Sequence, residues 1–137
     1  MTDLAFLLYR SETTMPPLSD AARDLLATAR RVNAGLGLTG FLHHEDGFFF
    51  QWLEGPAEPL DMIAGRLEAD PRHFNLTWLW RGTETGRQFA GWKMGYSTRD
   101  DSSIMGWLVA HPVAQRERQA YAASVLAFLQ ERNGQTA

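Results

Sequence analysis

The stretch 48-FFFQWLEG-55 places a glutamine among aromatic and aliphatic residues, in a segment that is otherwise typical of a buried strand. The amide of Gln51 carries two donors and one acceptor oxygen. A buried amide group without a partner costs about 1–3 kcal/mol. Gln51 therefore requires hydrogen-bond partners, which have to come from a neighbouring element of the fold or from a ligand.

The segments on either side of this strand predict an alternating order of strands and helices. In chain order they are a strand at 4–11, a helix at 20–35, strands at 36–44 and 48–55 joined by the turn signal 45-EDG-47, a helix at 57–70, and strands at 74–82 and 88–97. The order βαββαββ is typical of an α+β, ferredoxin-like fold. We expect a five-stranded mixed sheet with two helices on one face.

The tail from 102 to 134 predicts two further helices, broken at Pro112. We expect these C-terminal helices to lie on the other face of the sheet, although pairing with another chain is an alternative use of their apolar side. Alternation in the fourth strand places Trp78 and Trp80 on one side, predicted to lie under the tail helices. The apolar side of the second tail helix consists of Tyr121, Ala122, Val125, Phe128 and Leu129.

Composition excludes several classes of function. The chain has 137 residues, about one domain, and contains no cysteine, which excludes disulfides, thiolate metal sites and cysteine nucleophiles. Its net charge of −3 disfavours binding to nucleic acid or to anionic membranes. The N-terminus lacks the features of a signal peptide, and no apolar run approaches the roughly 20 residues that span a bilayer. These features predict a cytoplasmic, soluble protein.

Two further motifs are interpreted as structural. The segment 35-GLGLTG-40 fits the dinucleotide-binding pattern, but it follows a helix and opens a strand, the reverse of what phosphate binding requires. We interpret Gly35 or Gly37 as a helix C-cap. His43 and His44, with the acidic residues after them, lie beside a turn and lack a further ligand cluster. They predict a solvated turn and no metal site.

Tyr9 is the natural partner for Gln51. It lies near the end of the first strand, and in a fold of this order the first and third strands are neighbours. The two polar groups could therefore meet beneath the two helices. Because the hydroxyl satisfies only part of the amide, two interpretations remain open: a purely structural pair, or a pair completed by a ligand held between the helices.

Five motifs in order and at suitable spacing resemble a known family. They are 7-LLYRS-11 with Tyr9, 33-NAGLGLTGFL-42, 49-FFQWLEG-55, 70-DPRH-73 and 88-QFAGWKM-94. Together they resemble BLUF domains, the blue-light sensors that use FAD. The resemblance spans residues 4 to about 97, and the tail is similar to the C-terminal helices of short, stand-alone members.

The resemblance implies a flavin bound non-covalently between the two helices. FAD is expected, with FMN or riboflavin as alternatives. Asn33 matches the residue that bonds the polar edge of the ring, and Arg66 matches a position that reaches the ribityl or phosphate region. Val32 and Ala29 depart from the family, which more often has polar residues at both positions. The implied cofactor-binding residues are Tyr9, Leu25, Ala29, Asn33, Leu42, Gln51, Ile63, Arg66, Asp70 and His73.

The resemblance also implies a photoreaction without enzymatic turnover. Because the chain has no cysteine, a bond between sulfur and flavin is excluded. Tyr9 would donate an electron and a proton, and Gln51 would change its hydrogen bonds and make a new one to the flavin C4 carbonyl. Trp92 and Met94 would carry this change to the last strand.

We expect two units, a photosensor at 1–98 and a helical extension at 99–137. By its length the chain lacks room for an output domain such as a cyclase, so signalling would use a homo-oligomer, a dimer or larger, or an unidentified downstream protein. Two rivals remain. One is a ferredoxin-like ligand-binding or interaction module without photochemistry. The other is an acylphosphatase-like hydrolase, for which Arg10 and Asn33 are available but a phosphate cradle is missing from the sequence.

Overall fold

A hairpin that contains the stretch 48–55 forms the middle of the sheet. In the computed structural model, which describes residues 4–91, 93–110 and 118–136, β2 (Thr39–Glu45) pairs antiparallel with β3 (Phe48–Pro56). The two turn residues, Asp46 and Gly47, have φ of 49° and 84°. Positive φ at both positions is the geometry that an Asp-Gly turn favours, so the predicted hairpin turn is confirmed.

The remaining elements follow the predicted order. They are β1 (Leu4–Glu12), α1 (Asp20–Leu36), α2 (Ala57–Ala69), β4 (Phe74–Glu84), β5 (Gly95–Thr98), α3 (Ile104–Ala110) and α4 (Arg118–Thr136). The strands are arranged β4-β1-β3-β2-β5, with β5 parallel to β2 and the other pairs antiparallel. This arrangement confirms the α+β, ferredoxin-like fold with a five-stranded mixed sheet.

Local signals fix the ends of the two helices on the first face. Ser19 caps α1, since its hydroxyl oxygen accepts from the Ala22 N–H at 3.2 Å. Gly37, at φ 70°, ends the same helix and donates its N–H to the Asn33 carbonyl. Asp70 ends α2. The sequence predicted that either Gly35 or Gly37 is a helix C-cap, and Gly37 is the C-cap of α1.

The tail helices cover the second face. Ile104 of α3 and four residues of α4, Ala122, Val125, Phe128 and Leu129, are buried in a cluster with Phe6, Leu8, Phe50 and Trp52 of the sheet. The predicted placement of these helices is confirmed, whereas the break at Pro112 lies outside the described residues. The division into units at 98 and 99 stays a prediction. Among the described residues no helix is long and apolar enough to span a bilayer.

The last strand is shorter than predicted. It covers Gly95–Thr98 rather than 88–97, and the described residues between β4 and this strand, 85–91 and 93–94, form an irregular segment. The cause is a buried carboxylate. The backbone N–H groups of Gln88 and Phe89 donate to Glu54 at 2.8 and 2.7 Å, and so they do not join a strand ladder.

The fourth strand contains an irregularity that separates its two tryptophans. Trp80 pairs with Leu8, but Trp78 pairs with Tyr9, so the register shifts by one residue between them. Trp80 packs under the tail helices as expected, while Trp78 packs on the opposite face with Tyr9. The prediction that both lie on one side was wrong, because simple alternation cannot anticipate a bulge.

Candidate functional site

A cavity opens between α1, α2 and the sheet face beneath them. Its volume is about 190 Å³. The alternation of β3 directs Phe49, Gln51 and Leu53 to this side, while successive turns of α1 supply Leu25, Ala29 and Asn33.

A chain of three side chains crosses the floor of the cavity. Tyr9 and Gln51 lie directly opposite each other in the β1–β3 pair, and both are buried. The Tyr9 hydroxyl donates to Gln51 Oε1. Gln51 Nε2 donates in turn to Met94 Sδ at 3.3 Å. In the sheet, β2 lies between β3, which carries Gln51, and β5. Met94 comes just before β5 in the chain, so it is not held in that strand, and the Gln51 side chain reaches it.

Tyr9 is held as a neutral phenol. Burial, and secondarily the negative charge of Asp70, raises the pKa of its hydroxyl well above the usual value. Its ring meets Trp78 edge-on, with centroids 5.8 Å apart, and lies 5.8 Å from the ring of His73. The phenol proton therefore has one acceptor within the described structure, the amide oxygen of Gln51.

Helix α1 holds the segment that carries Met94. Asn33 Nδ2 donates to the Lys93 carbonyl at 2.7 Å, and Arg30 Nε donates to the Met94 carbonyl at 3.0 Å. Asn33 is buried, and it also lines the cavity. One asparagine thus contacts both the cavity and the backbone next to Met94.

The mouth of the cavity is lined by charged side chains after α2. Arg72 makes a two-pronged ion pair with Asp70, with Nε–Oδ1 at 3.0 Å and Nη2–Oδ2 at 2.6 Å. This bond to Arg72 is the main reason that the pKa of Asp70 lies below its usual value. Arg66 is exposed and lines the cavity one turn earlier. The mouth therefore offers guanidinium groups to an anionic ligand.

His73 has a structural position beneath the mouth. Its Nε2 donates to the Leu67 carbonyl at 2.7 Å, because a carbonyl can only accept. The other ring nitrogen is 2.7 Å from the hydroxyl of Ser11. These bonds tie the end of α2 to β1, next to Tyr9.

The structure brings together all of the sequence-predicted site residues that it describes. Trp92, predicted to take part in switching, lies outside the described residues. Six further lining residues, some implied by helix spacing and strand alternation, are Thr28, Val32, Phe49, Leu53, Leu67 and Arg72. The predicted residues that line the cavity are Tyr9, Leu25, Ala29, Asn33, Leu42, Gln51, Ile63, Arg66, Asp70, His73 and Met94.

The sequence predicted that the histidine pair at the end of β2 forms a solvated turn. That prediction was wrong, because both side chains are fully buried. His43 donates to Glu45 at 2.8 Å, and Glu45 also accepts from the backbone N–H of Ile104 at 2.7 Å. The helix α3 that packs here could not be placed from the local sequence. Within the described part of the chain, no group of three or more His, Cys, Asp and Glu side chains could hold a metal ion.

Curated relatives share this region. The chain is 39% identical over 103 residues to photoactivated adenylate cyclase subunit beta of Euglena gracilis, a match that covers 72% of this chain and 12% of that protein. It is 37% identical over 102 residues to the alpha subunit of the same organism, covering 73% and 10%. The chain thus spans about a tenth of the length of these relatives.

Solved structures share the fold over nearly the whole chain. BlsA in its photo-activated state superposes with a TM-score of 0.75 at 26% identity, covering 90% of this chain and 94% of that one. The dark-state structure of BlrB, a BLUF protein, gives 0.69 at 28% identity, covering 94% and 99%. Residues 4–95 match the family described as BLUF, sensors of blue-light using FAD. The chain belongs to the BLUF family of flavin-binding blue-light sensors.

Proposed function

We propose that the photoreaction of this sensor uses Tyr9 and Gln51 and is transmitted through Met94. The observation that carries this proposal is the chain of hydrogen bonds from the Tyr9 hydroxyl to Gln51 and from Gln51 to Met94, on the floor of one cavity. All three side chains are at most 5% exposed, so water competes little for these bonds.

The cavity suits a flavin in its chemistry. Leu25, Ala29 and Ile63 provide apolar walls for a flat ring, and the amides of Asn33 and Gln51 supply hydrogen-bonding groups for its polar edge. The side chains of Arg66 and Arg72 line the mouth, where the phosphates of FAD or FMN would require positive charge. We therefore assign the cofactor-binding role to the ten lining residues that the sequence predicted as cofactor-binding, and FAD as the cofactor.

The first step is a coupled transfer from Tyr9. The bound flavin supplies the absorption of blue light and, once excited, a place for one electron. A phenol that has lost an electron becomes a strong acid. Its proton therefore moves along the existing hydrogen bond to Gln51 Oε1. Because Tyr9 is buried and stays neutral beforehand, no ionised tyrosinate competes with this coupled step.

The second step is a change of partners at Gln51. The electron and the proton return to Tyr9, which restores the neutral phenol, and the amide of Gln51 stays turned by half a rotation, with its N–H groups toward Tyr9 and its oxygen toward Met94. The thioether sulfur carries no hydrogen to donate, so the bond between Gln51 and Met94 is lost. Met94 is then held only through its backbone and its packing. Light is converted into the release of one side chain at the start of β5.

Absorption spectra test this mechanism. We expect the flavin bands of the wild-type protein to move slightly to the red under blue light and to recover in the dark. Gln51→Leu should bind flavin and show no red shift, because leucine has the bulk of the amide but no hydrogen-bonding groups. Asp24→Asn, a change to an exposed residue of α1 that does not line the cavity, is the control and should keep the shift. A normal photocycle in Gln51→Leu would contradict the proposal.

The identity of the flavin is tested by binding. Arg66→Gln removes a charged hydrogen-bond donor and should weaken FAD and FMN by about tenfold or more, while riboflavin, which lacks phosphate, is little affected. Arg23→Gln, a change to an exposed arginine on the far side of α1, serves as the control. Equal loss for all three flavins would remove the phosphate role from Arg66.

We further propose that residues 1–98 act as a sensor, not an enzyme, and that 99–137 transmit the signal to a second copy or a downstream protein. Met105 and Val109 support this, because they are exposed apolar residues of α3 one turn apart. Light scattering of the purified full chain in the dark and under blue light measures whether the oligomer changes. Val109→Ser should weaken any assembly or partner binding without altering the red shift.

A further inference from the structure

His43 lies on the tail-helix side of β2 and joins that strand to β5. Its Nδ1 is 2.7 Å from the hydroxyl of Ser97, the residue opposite it in the parallel β2–β5 pair. Its Nε2 donates to Glu45 Oε1 at 2.8 Å. All three side chains are fully buried, so water has little access to either bond. Because a hydroxyl can both donate and accept, the bond to Ser97 forms with a neutral or a protonated ring.

Glu45 continues this connection to the start of α3. Its Oε1 also accepts from the Ile104 N–H at 2.7 Å, and its Oε2 accepts from the Ser103 hydroxyl at 2.8 Å. Ile104 is the first residue of α3, and the N–H groups of a first turn have no acceptor within their own helix. A side chain of β2 therefore supplies the acceptor that holds the beginning of α3.

The imidazole of His43 also packs against α4. Its ring meets Phe128 edge-on, with centroids 4.8 Å apart. Phe128 contacts the ring of Trp107 in α3 at 5.8 Å, and Trp107 Nε1 donates to the Ser124 hydroxyl of α4 at 3.2 Å. Because buried rings are close-packed, a shift of the imidazole requires its neighbours to repack. The position of His43 thus affects both tail helices.

Strand β5 connects this cluster to the cavity. The strand begins directly after Met94, it is four residues long, and within the described sheet it pairs with β2 alone. Next to its first residue, Met94 accepts from Gln51 Nε2 at 3.3 Å. Ser97 follows Met94 by three residues and faces the tail helices. A short edge strand has few attachments, so the loss of the Gln51 bond removes a substantial part of what fixes its position.

The connection from β5 to α3 is short and internally bonded. Residues 99–103 join the two elements. The Asp101 carboxylate accepts from the Thr98 N–H at 2.8 Å, and the Asp101 N–H donates to the Thr98 carbonyl at 3.0 Å, which is the bond of a tight turn. A displacement of β5 therefore moves this turn with it.

We propose that His43 and Ser97 are positioning residues of the light response, which transmit a displacement of β5 to Glu45 and so to the start of α3. When Met94 loses its bond to Gln51, β5 shifts and Ser97 moves relative to the imidazole. The ring then loses its alignment with Glu45, and the first turn of α3 is held less firmly. The inference rests on the proposed function for the displacement of β5, whereas the bonds from Ser97 to α3 do not depend on photochemistry.

Amide hydrogen exchange of the flavin-bound full chain, in the dark and under continuous blue light, tests the transmission. In the wild type we expect the Ile104 amide to exchange about fivefold or more faster in the light, the usual size of coupling between two sites. Ser97→Ala removes the hydroxyl and leaves the imidazole on Glu45. It should show the full red shift and no light-dependent change at Ile104. An Ile104 amide that ignores light in the wild type, or responds normally in Ser97→Ala, overturns the proposal.

The matched control is Thr98→Val, which removes a hydroxyl from the neighbouring residue on the cavity side of β5 and should respond as wild type. His43→Gln separates the two bonds of the ring. Its amide can donate to Glu45 but has no second nitrogen for Ser97, so dark exchange at Ile104 should stay close to that of wild type while the light response is lost. A purely structural histidine would give the reverse, a changed dark rate with the ratio of light to dark rates intact.

Absorption spectra of the same samples separate this inference from the proposed function. A wild-type red shift with an unchanged Ile104 amide would refute the transmission alone. Absence of the red shift in the wild type would refute the photoreaction, and the attachment of α3 would then be decided in the dark. There Glu45→Leu, which removes the acceptor, should raise exchange at Ile104 about tenfold. An unchanged dark rate in Glu45→Leu would refute the attachment as well.

Discussion

Gln51 and Trp52 are adjacent on β3, yet they serve opposite faces of the sheet. Gln51 lies on the cavity side, where its amide links Tyr9 to Met94. Trp52 lies under the tail helices, stacked on Phe6 with centroids 4.6 Å apart. One face carries a few hydrogen-bonded polar groups, and the other is a close-packed aromatic core. We therefore expect that photochemistry and stability can be altered separately, one residue apart.

The largest loss of stability is expected on the aromatic face. Trp52→Ala should lower the free energy of unfolding by about 3–5 kcal/mol, because it removes a buried ring and leaves Glu54 with one donor fewer. Urea unfolding measures the change. Phe74→Ala, at a side chain that is 48% exposed, is the control and should cost about 0.5 kcal/mol or less. Equal costs for the two variants would refute the assignment of the core to this face.

On the cavity face we expect a smaller loss of stability together with a complete loss of the light response. Tyr9→Phe removes one hydroxyl and leaves the buried Gln51 oxygen without its donor, a cost of about 1–3 kcal/mol. The red shift should nevertheless vanish, since phenylalanine has no proton to transfer. The control is Tyr96→Phe, at the tyrosine whose hydroxyl is bonded to His44, 2.9 Å away. It should keep the red shift. A Tyr9→Phe protein that still shifts would mean that another residue is the donor.

The sequence predicts best what is decided locally. The predicted ends of β1, α1, α2 and β4 agree with the structure to within two residues. The local signals used for the prediction were the helix caps, the Asp-Gly turn and the alternation of β3. The pairing of Tyr9 with Gln51 followed from the order of strands alone. These features depend on residues close in sequence or on a general rule of topology.

What the sequence could not predict depends on distant side chains. The irregular segment after β4 forms because Glu54, more than thirty residues earlier, accepts two of its backbone N–H groups. His43 of β2 is buried beside Glu45, which α3 returns to cover, whereas His44 is buried on the opposite face between Met15 and Tyr96. Likewise Asn33 is bonded to the Lys93 carbonyl, a contact that no local pattern indicates. Each of these cases is a buried polar group satisfied by a remote partner.

The carboxylate of Glu45 should make the aromatic face sensitive to acid. Burial raises the pKa of Glu45, but hydrogen bonds from His43, Ser103 and the Ile104 N–H together outweigh that effect, so the net pKa lies below the usual 4.5. A group with a lowered folded-state pKa stabilises the protein above its unfolded pKa, and the contribution is lost as the pH falls through the folded value. Stability should therefore decline below about pH 4.5, and Glu45→Gln should flatten that decline.

Glu84, the last residue of β4, gives the opposite dependence. Because burial raises the pKa of Glu84 to about 8, its contribution is fully present below about pH 4.5 and is lost as the pH rises through about 8. Urea unfolding at acid and at alkaline pH, in wild type, Glu45→Gln and Glu84→Gln, separates the contributions of the two carboxyl groups to stability. If Glu45→Gln changed the loss of stability at alkaline pH, or Glu84→Gln changed the loss at acid pH, the two assignments would be wrong.

The smallest effect is expected at the far end of the cavity wall. Ser19→Ala removes the side-chain acceptor for the Ala22 N–H at the start of α1, and should lower the free energy of unfolding by about 1 kcal/mol. Asn33 lies at the other end of the same helix, so the cavity contacts stay in place, and flavin binding and the red shift should be unchanged. Ser19→Asp keeps an oxygen acceptor at the cap and should restore the stability. If Ser19→Ala altered the photocycle as strongly as Tyr9→Phe, the switch would depend on the whole helix rather than on the three side chains of the cavity floor.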